Sequence, residues 1–150
     1  MVKICTKASV LHTKAKPVVE SEVAEICRDN LLQAFYDLDC KAQGLAAIQI
    51  NLHYAAFLVR YKKGKDPKII FNPVLLKSYG SKRKLEGCLS EPGIWYRIKR
   101  PLLIKVSYQD ENFIEHTEWL TYKKARIFMH ELDHLNGIML QDKNEIGVKL

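Results

Sequence analysis

The segment His130-Glu131-Leu132-Asp133-His134 constrains this chain more than any other stretch. Residues four apart stack one turn above another on a single face only in a helix. There two imidazoles can bind one metal ion, with Glu131 beside them as a proton carrier. The surrounding sequence predicts a helix over residues 122–136. Thr121 is placed to cap its start and Asn136-Gly137 to end it. Ala125, Phe128, Leu132 and Leu135 form an apolar stripe spaced for core packing. His130 and His134 fall to the side of that stripe, with Ile127 and Glu131 near them. One face on the core and two histidines on an adjoining face suit a buried metal. Five residues of this kind also recur by chance in helices, so a third ligand from elsewhere must decide the chemistry.

At 150 residues the chain is long enough to bury a core as one domain, 1–150, without disulfides. No run of eighteen apolar residues is present, so no transmembrane helix is expected. The opening Met1-Val2-Lys3-Ile4-Cys5-Thr6-Lys7 has no apolar stretch of the signal-peptide kind, and a cytoplasmic location is expected. Cys5, Cys27, Cys40 and Cys88 form no CxxC pair, so reduced thiols, mostly small buried hydrophobes, are expected. The net charge of +7 includes clusters at Lys62-Lys63 with Lys65, at Lys82-Arg83-Lys84, and at Arg97 with Lys99 and Arg100. No nucleic-acid motif and no interleaved aromatic run accompanies them, which favours a solvated basic surface over a nucleic-acid site.

After Pro17, Val19, Val23, Ile26, Cys27, Leu31, Ala34, Phe35 and Leu38 recur at helical spacing. Glu20, Glu22 and Glu25 near its start favour the helix dipole. Strands are expected over residues 44–50, 55–61 and 68–71, the last halted by Asn72-Pro73. Further strands are expected over 74–79, 102–108 and 113–120, with a hairpin turn at 109–112. The fold class is therefore α+β: antiparallel sheets around a C-terminal helix carrying HExxH, with one N-terminal helix.

Three segments carry the chemistry: Gln43-Gly44-Leu45-Ala46-Ala47-Ile48-Gln49, Leu85-Glu86-Gly87-Cys88-Leu89-Ser90, and Met129 to Gly137. Singly, the first reads as a buried strand and the second as a buried thiol after a glycine turn. In this order they resemble the three motifs of peptide deformylases, GxGLAAxQ, EGCLS and QHExDH. Here these stand as AQGLAAIQ, EGCLS and MHELDH. Val10-Leu11-His12 and Lys14 to Val18 are also similar to the family's opening, so the resemblance spans about residues 9–142.

The resemblance implies hydrolysis of the N-formyl group from a peptide's first residue, usually methionine. Cys88, His130 and His134 would be the metal ligands, and three protein ligands leave a fourth position open for catalysis. Such a metal lowers the pKa of bound water toward neutrality. Fe²⁺ is the implied cofactor, with Zn²⁺ or Ni²⁺ able to replace it in purified protein. Glu131 would move the proton, and the Gln49 amide and the Leu89 backbone N–H would stabilise the oxyanion. Gly44 would let the substrate main chain approach and pair with strand edges. Asp133 would support a ligand, and an unidentified arginine would hold Glu86. The implied partners are N-formylated nascent peptides and the ribosome, for a chain acting as a monomer without membrane or specific nucleic-acid contacts. Ribosome docking through a long C-terminal tail is not expected, because the chain ends soon after Asp142.

The motifs are broken in places. Ala42 stands where the family has glycine, which predicts strain if the loop needs positive φ. Met129 replaces the usual Gln, which predicts a missing hydrogen bond. Gln43, Glu91 and Arg126 replace apolar residues, and beside Ile127 they predict a polar pocket for the first side chain. In one reading Glu91 and Arg126 pair; in the other both face solvent. Competing functions are a zinc peptidase cutting internal bonds and a non-catalytic or altered-specificity relative that binds formylated or modified N-termini.

Overall fold

A computed structural model describes residues 2–38 and 42–143; Cys40 lies outside them. The elements are α1 (Ala8–Leu11), α2 (Ser21–Asp37), β1 (Gly44–Ala46), β2 (Ala56–Val59), β3 (Lys68–Tyr79), β4 (Lys82–Cys88), β5 (Glu91–Arg100), β6 (Leu103–Gln109), β7 (Glu115–Thr121), α3 (Tyr122–Leu135) and α4 (Leu140–Lys143). A five-stranded antiparallel sheet runs β1-β2-β3-β6-β7, and β4 and β5 form a separate two-stranded ribbon.

Burial follows the sequence pattern of each strand. β2 reads Ala-Phe-Leu-Val and is buried throughout, because helices cover both faces of the sheet there. Phe57 and Val59 face the cluster of Phe128, Ala125 and Leu132 from α3. Ala56 and Leu58 face Cys27, Leu31 and Phe35 from α2. Phe57 meets Phe128 edge-on at 5.2 Å between ring centroids. Burying each such ring contributes about 2–3 kcal/mol. β6, by contrast, alternates buried and half-buried residues, as a strand covered on one face does.

Several local expectations are corrected. Residues 44–50 are not one strand: β1 ends at Ala46 and a 3₁₀ turn takes Ala47–Ile50. Asn72-Pro73 does not halt the strand. β3 passes through it on a bulge, with the register moving from Phe71 opposite Gln109 to Val74 opposite Ser107. Asn72 adopts φ 49° there, and its side chain accepts from the Val18 N–H at 2.8 Å and donates to the Val18 carbonyl at 2.7 Å. Pro73 needs no N–H partner at a bulge. On α2 the buried stripe is Ala24, Cys27, Leu31, Ala34 and Phe35, whereas Val19 and Ile26 face solvent. Thr121 sits at the N-cap of α3 but its side chain makes no capping bond. Tyr122 turns the corner with φ 48°, and its N–H donates to the Leu102 carbonyl at 2.8 Å. The ribbon over 82–100 had no strand expectation at all. Among the described residues no helix is long and apolar enough to cross a membrane.

Candidate active site

Helix α3 sets His130 and His134 one turn apart, their ring centroids 5.1 Å from each other. Cys88 comes from the end of β4. The ribbon's register breaks between Gly87 and Cys88, which places Cys88 opposite Glu91. Its Sγ lies 3.3 Å from His134 Nε2. One ligand atom from each of Cys88, His130 and His134 falls within 4.8 Å of the others. A tetrahedral site with one sulfur and two nitrogen donors would hold them about 3.5 Å apart, so these three side chains are placed to hold one metal ion. The donor set of one thiolate and two imidazoles fits a transition metal, not a hard cation.

What surrounds the donors fits a metal as well. His130 Nδ1 lies 3.1 Å from Glu86 Oε2, which leaves Nε2 for the metal. Glu86 is buried and is gripped by Arg100, whose Nε and Nη2 donate to its two oxygens at 3.0 Å each. Arg100 also donates to Asp133, and Lys143 Nζ lies 3.1 Å from the same Asp133 oxygen. Arg126 donates to Glu86 from the other side. Burial alone would raise the Glu86 carboxyl. The hydrogen bonds from His130 and Arg100 and the guanidinium charge outweigh it and hold the group well below the carboxylate range. In the metal-free protein, burial opposes the charge on His130, but Cys88 and Glu86 prevail and raise its pKa. His134 is pushed well below its ordinary value by burial and then by His130.

Glu131 is buried, and burial raises its carboxyl to about 7 despite the nearby charges of His130 and Arg100. Among the described residues its Oε2 has no hydrogen-bond partner. Gly44 makes room for it: a Cβ there would stand 2.5 Å from Glu131 Oε1. Gln49 is fixed by its side-chain amide oxygen Oε1, which accepts from the Ala46 N–H at 2.9 Å. That leaves its amide group to donate to Ser90 Oγ at 3.1 Å and toward Cys88 Sγ at 3.6 Å. These groups open onto a cavity of about 540 Å³, lined also by Gln43, Leu89, Ile127 and Trp95.

The model of the family described as "Polypeptide deformylase" matches residues 1–146. The chain belongs to the polypeptide deformylase family. It is 34% identical over 143 residues to a peptide deformylase of Chlorobium luteolum, covering 91% of this chain and 74% of that one. With a peptide deformylase of Borreliella burgdorferi it shares 40% identity over 111 residues, 71% of this chain and 65% of the relative. The crystal structure of peptide deformylase from Thermotoga maritima superposes with a TM-score of 0.89 at 32% identity, covering 97% and 99% of the two chains. The peptide deformylase of Synechococcus elongatus in complex with actinonin gives a TM-score of 0.85 at 30% identity, covering 97% and 79%. This deformylase is thus a metal-dependent hydrolase that removes the N-formyl group from nascent peptides. The reading as an internal-bond peptidase gives way to that membership.

Of the residues singled out in sequence, Gln43, Gly44, Gln49, Cys88, Leu89, Glu91, Arg126, Ile127, His130 and Glu131 all line the cavity, with His134 packed against Cys88. The Glu91–Arg126 pair does not form. Glu91 is buried and accepts from the Tyr96 hydroxyl at 2.9 Å. Arg126 turns instead to Glu86 and to the carbonyls of Ile98 and Lys82. Neither is simply solvent-facing, because the ribbon offers each a nearer partner. Ala42 is buried, packed with Leu45 and Ala47 in the apolar cluster under α2. Met129 packs into the apolar core. Arg100, Trp95 and Lys123 were missed as site residues. For Arg100 the sequence held no signal short of the hairpin register, which puts it on the same face as Glu86.

Proposed function

We propose that the chain is a single catalytic domain that hydrolyses formyl-methionyl peptides, using Cys88, His130 and His134 to hold one divalent metal. The carrying observation is this three-donor cluster at the wall of the cavity, beside a buried Glu131 whose Oε2 has no partner among the described residues. A metal so held supplies Lewis acidity toward the formyl oxygen and makes water acidic enough to act near neutral pH. Glu131 takes a proton from the attacking water and delivers it to the leaving amine; burial keeps its carboxyl basic enough to do so. The Gln49 Nε2 group, aimed at Cys88, donates to the oxyanion together with the Leu89 N–H. β1 is an edge strand, so its backbone at Gly44 is available to pair with the substrate main chain. The buried Glu86–Arg100–Asp133 array orients His130 and acts through it.

The thiolate among the ligands supports Fe²⁺ as the native metal, with Zn²⁺ or Ni²⁺ taking its place after exposure to air. The protein acts as a cytoplasmic monomer, where formylated nascent chains are available. The test is hydrolysis of a short formyl-Met peptide by protein loaded anaerobically with Fe²⁺, beside Glu131→Ala at equal metal content. Activity lost in the variant supports the assignment. Equal activity in both would remove Glu131 from its role, and no activity in either would refute the formyl-Met reading. Metal analysis of anaerobically purified protein tests Fe²⁺.

A further inference from the structure

We propose that the outer face of the β4–β5 ribbon is an RNA-docking surface that takes the phosphates of ribosomal RNA. This rests on the reading of the cavity as a site for nascent formylated chains.

The hairpin register joins two basic clusters that are separate in the sequence. Arg83 lies opposite Lys99, Leu85 opposite Arg97, and Gly87 opposite Trp95. Partners in register share a face, so Arg97, Lys99 and Trp95 stand together on the outer one. Lys82 and Lys84 alternate with them and are also exposed. The ribbon's carboxylates are Glu86 and Glu91. Both are buried, Glu86 bound to Arg100 and Arg126 and Glu91 to Tyr96. The ribbon therefore shows solvent positive charge and no exposed negative charge.

Trp95 adds an aromatic surface. It is 49% exposed and lies over Gly87, where a Cβ would meet its ring at 3.1 Å. Trp95 and Leu85 also line the cavity, and exposed Lys123 stands on the cavity's rim. The basic face thus runs up to the mouth of the peptide site. Trp95 shares the face of Arg97 and Lys99 by alternation along β5. Neutralised phosphates release counterions, which makes such a face bind a polyanion, and an exposed indole offers a base a stacking surface. Nascent chains leave an RNA-rich particle, so RNA is the polyanion within reach when the substrate appears. Docking by this face holds the cavity mouth toward the emerging chain.

The test uses the metal-loaded protein and a fluorescein-labelled RNA hairpin of ribosomal sequence, read by anisotropy between 50 and 200 mM salt. The variant is Arg97→Glu with Lys99→Glu. The control is Lys62→Glu with Lys63→Glu, an equal charge change in an exposed loop elsewhere. The expected result is RNA binding at least tenfold weaker in the ribbon variant, with the salt slope shallower by about two, and binding within about twofold in the control. Co-sedimentation with purified ribosomes falls in parallel. Equal loss in the control would reduce the effect to net charge and overturn the proposal. So would unaltered binding in the ribbon variant, or preferential binding to anionic vesicles. Formyl-Met peptide hydrolysis is measured on every sample and stays unchanged in both variants. Hydrolysis absent from the parent protein would instead overturn the reading of the cavity, whatever the RNA result.

Discussion

Replacing Arg100 by Met tests whether the buried charge array holds the site together. Arg100 is 1% exposed and makes three charge-assisted hydrogen bonds, two to Glu86 and one to Asp133. Met fills much of the same volume but leaves two buried carboxylates short of a cation. Removing one partner of a buried pair costs about 3–5 kcal/mol. Here each acid keeps a second cation, Arg126 for Glu86 and Lys143 for Asp133, so the lower end applies. A loss of about 3 kcal/mol is about a fifth to three fifths of a typical stability, and at about 2–4 °C per kcal/mol it lowers Tm by about 6–12 °C. Urea unfolding followed by circular dichroism, on metal-free parent and variant, measures it without the metal's own contribution. Adding Glu86→Gln removes one of the stranded charges. The double variant is then less destabilised than the sum of the singles, with a coupling of about 1 kcal/mol or more. Because Glu86 orients His130, metal affinity of Arg100→Met also falls about tenfold to hundredfold. A stability loss under about 1 kcal/mol, or strictly additive singles, would refute the claim that this array is a coupled unit.

Gly44→Ala forces a methyl group onto Glu131, so kcat falls about a hundredfold with KM and the circular dichroism spectrum little changed; an unchanged kcat would show that Glu131 needs no such space. Asn72→Ala strips partners from the N–H and carbonyl of Val18 and costs about 1–3 kcal/mol in urea unfolding, with activity per folded molecule retained. Burial pushes the Cys27 thiol up to about 11, so iodoacetamide leaves it unmodified at pH 8 until the protein unfolds. Half-buried Cys88 is alkylated in metal-free protein and protected once metal is bound, as peptide mapping will read; equal labelling with and without metal would argue against Cys88 as a ligand.

How far the sequence could be read depended on whether a residue's partner was local. His130 and His134 were legible because helix geometry alone relates positions four apart. The α3 stripe and the all-apolar β2 were legible for the same reason: period and composition report which faces are covered. Glu86 was recognised as a residue needing an arginine, yet Arg100 could not be named, because that pairing depends on a hairpin register and a bulge at Cys88. The same register decides Arg126. One turn from His130 on α3, it reads as a pocket residue, and it does line the cavity, but its guanidinium donates to Glu86 and two ribbon carbonyls. Pro73 misled because proline's missing N–H argues against a continuous strand. That argument fails only where a bulge leaves the position unpaired and an Asn side chain supplies the bonds instead, and those bonds run to Val18, far away in sequence. The departures at Ala42 and Met129 mattered less than their motif positions suggested. Ala42 and Met129 both sit in apolar neighbourhoods. A broken motif position weakens a site only when the lost atom had a task there. The side chains to which the proposed chemistry gives a task, Cys88, His130, His134, Glu131 and Gln49, all stand in or against the cavity, so that proposal rests on none of the departed positions.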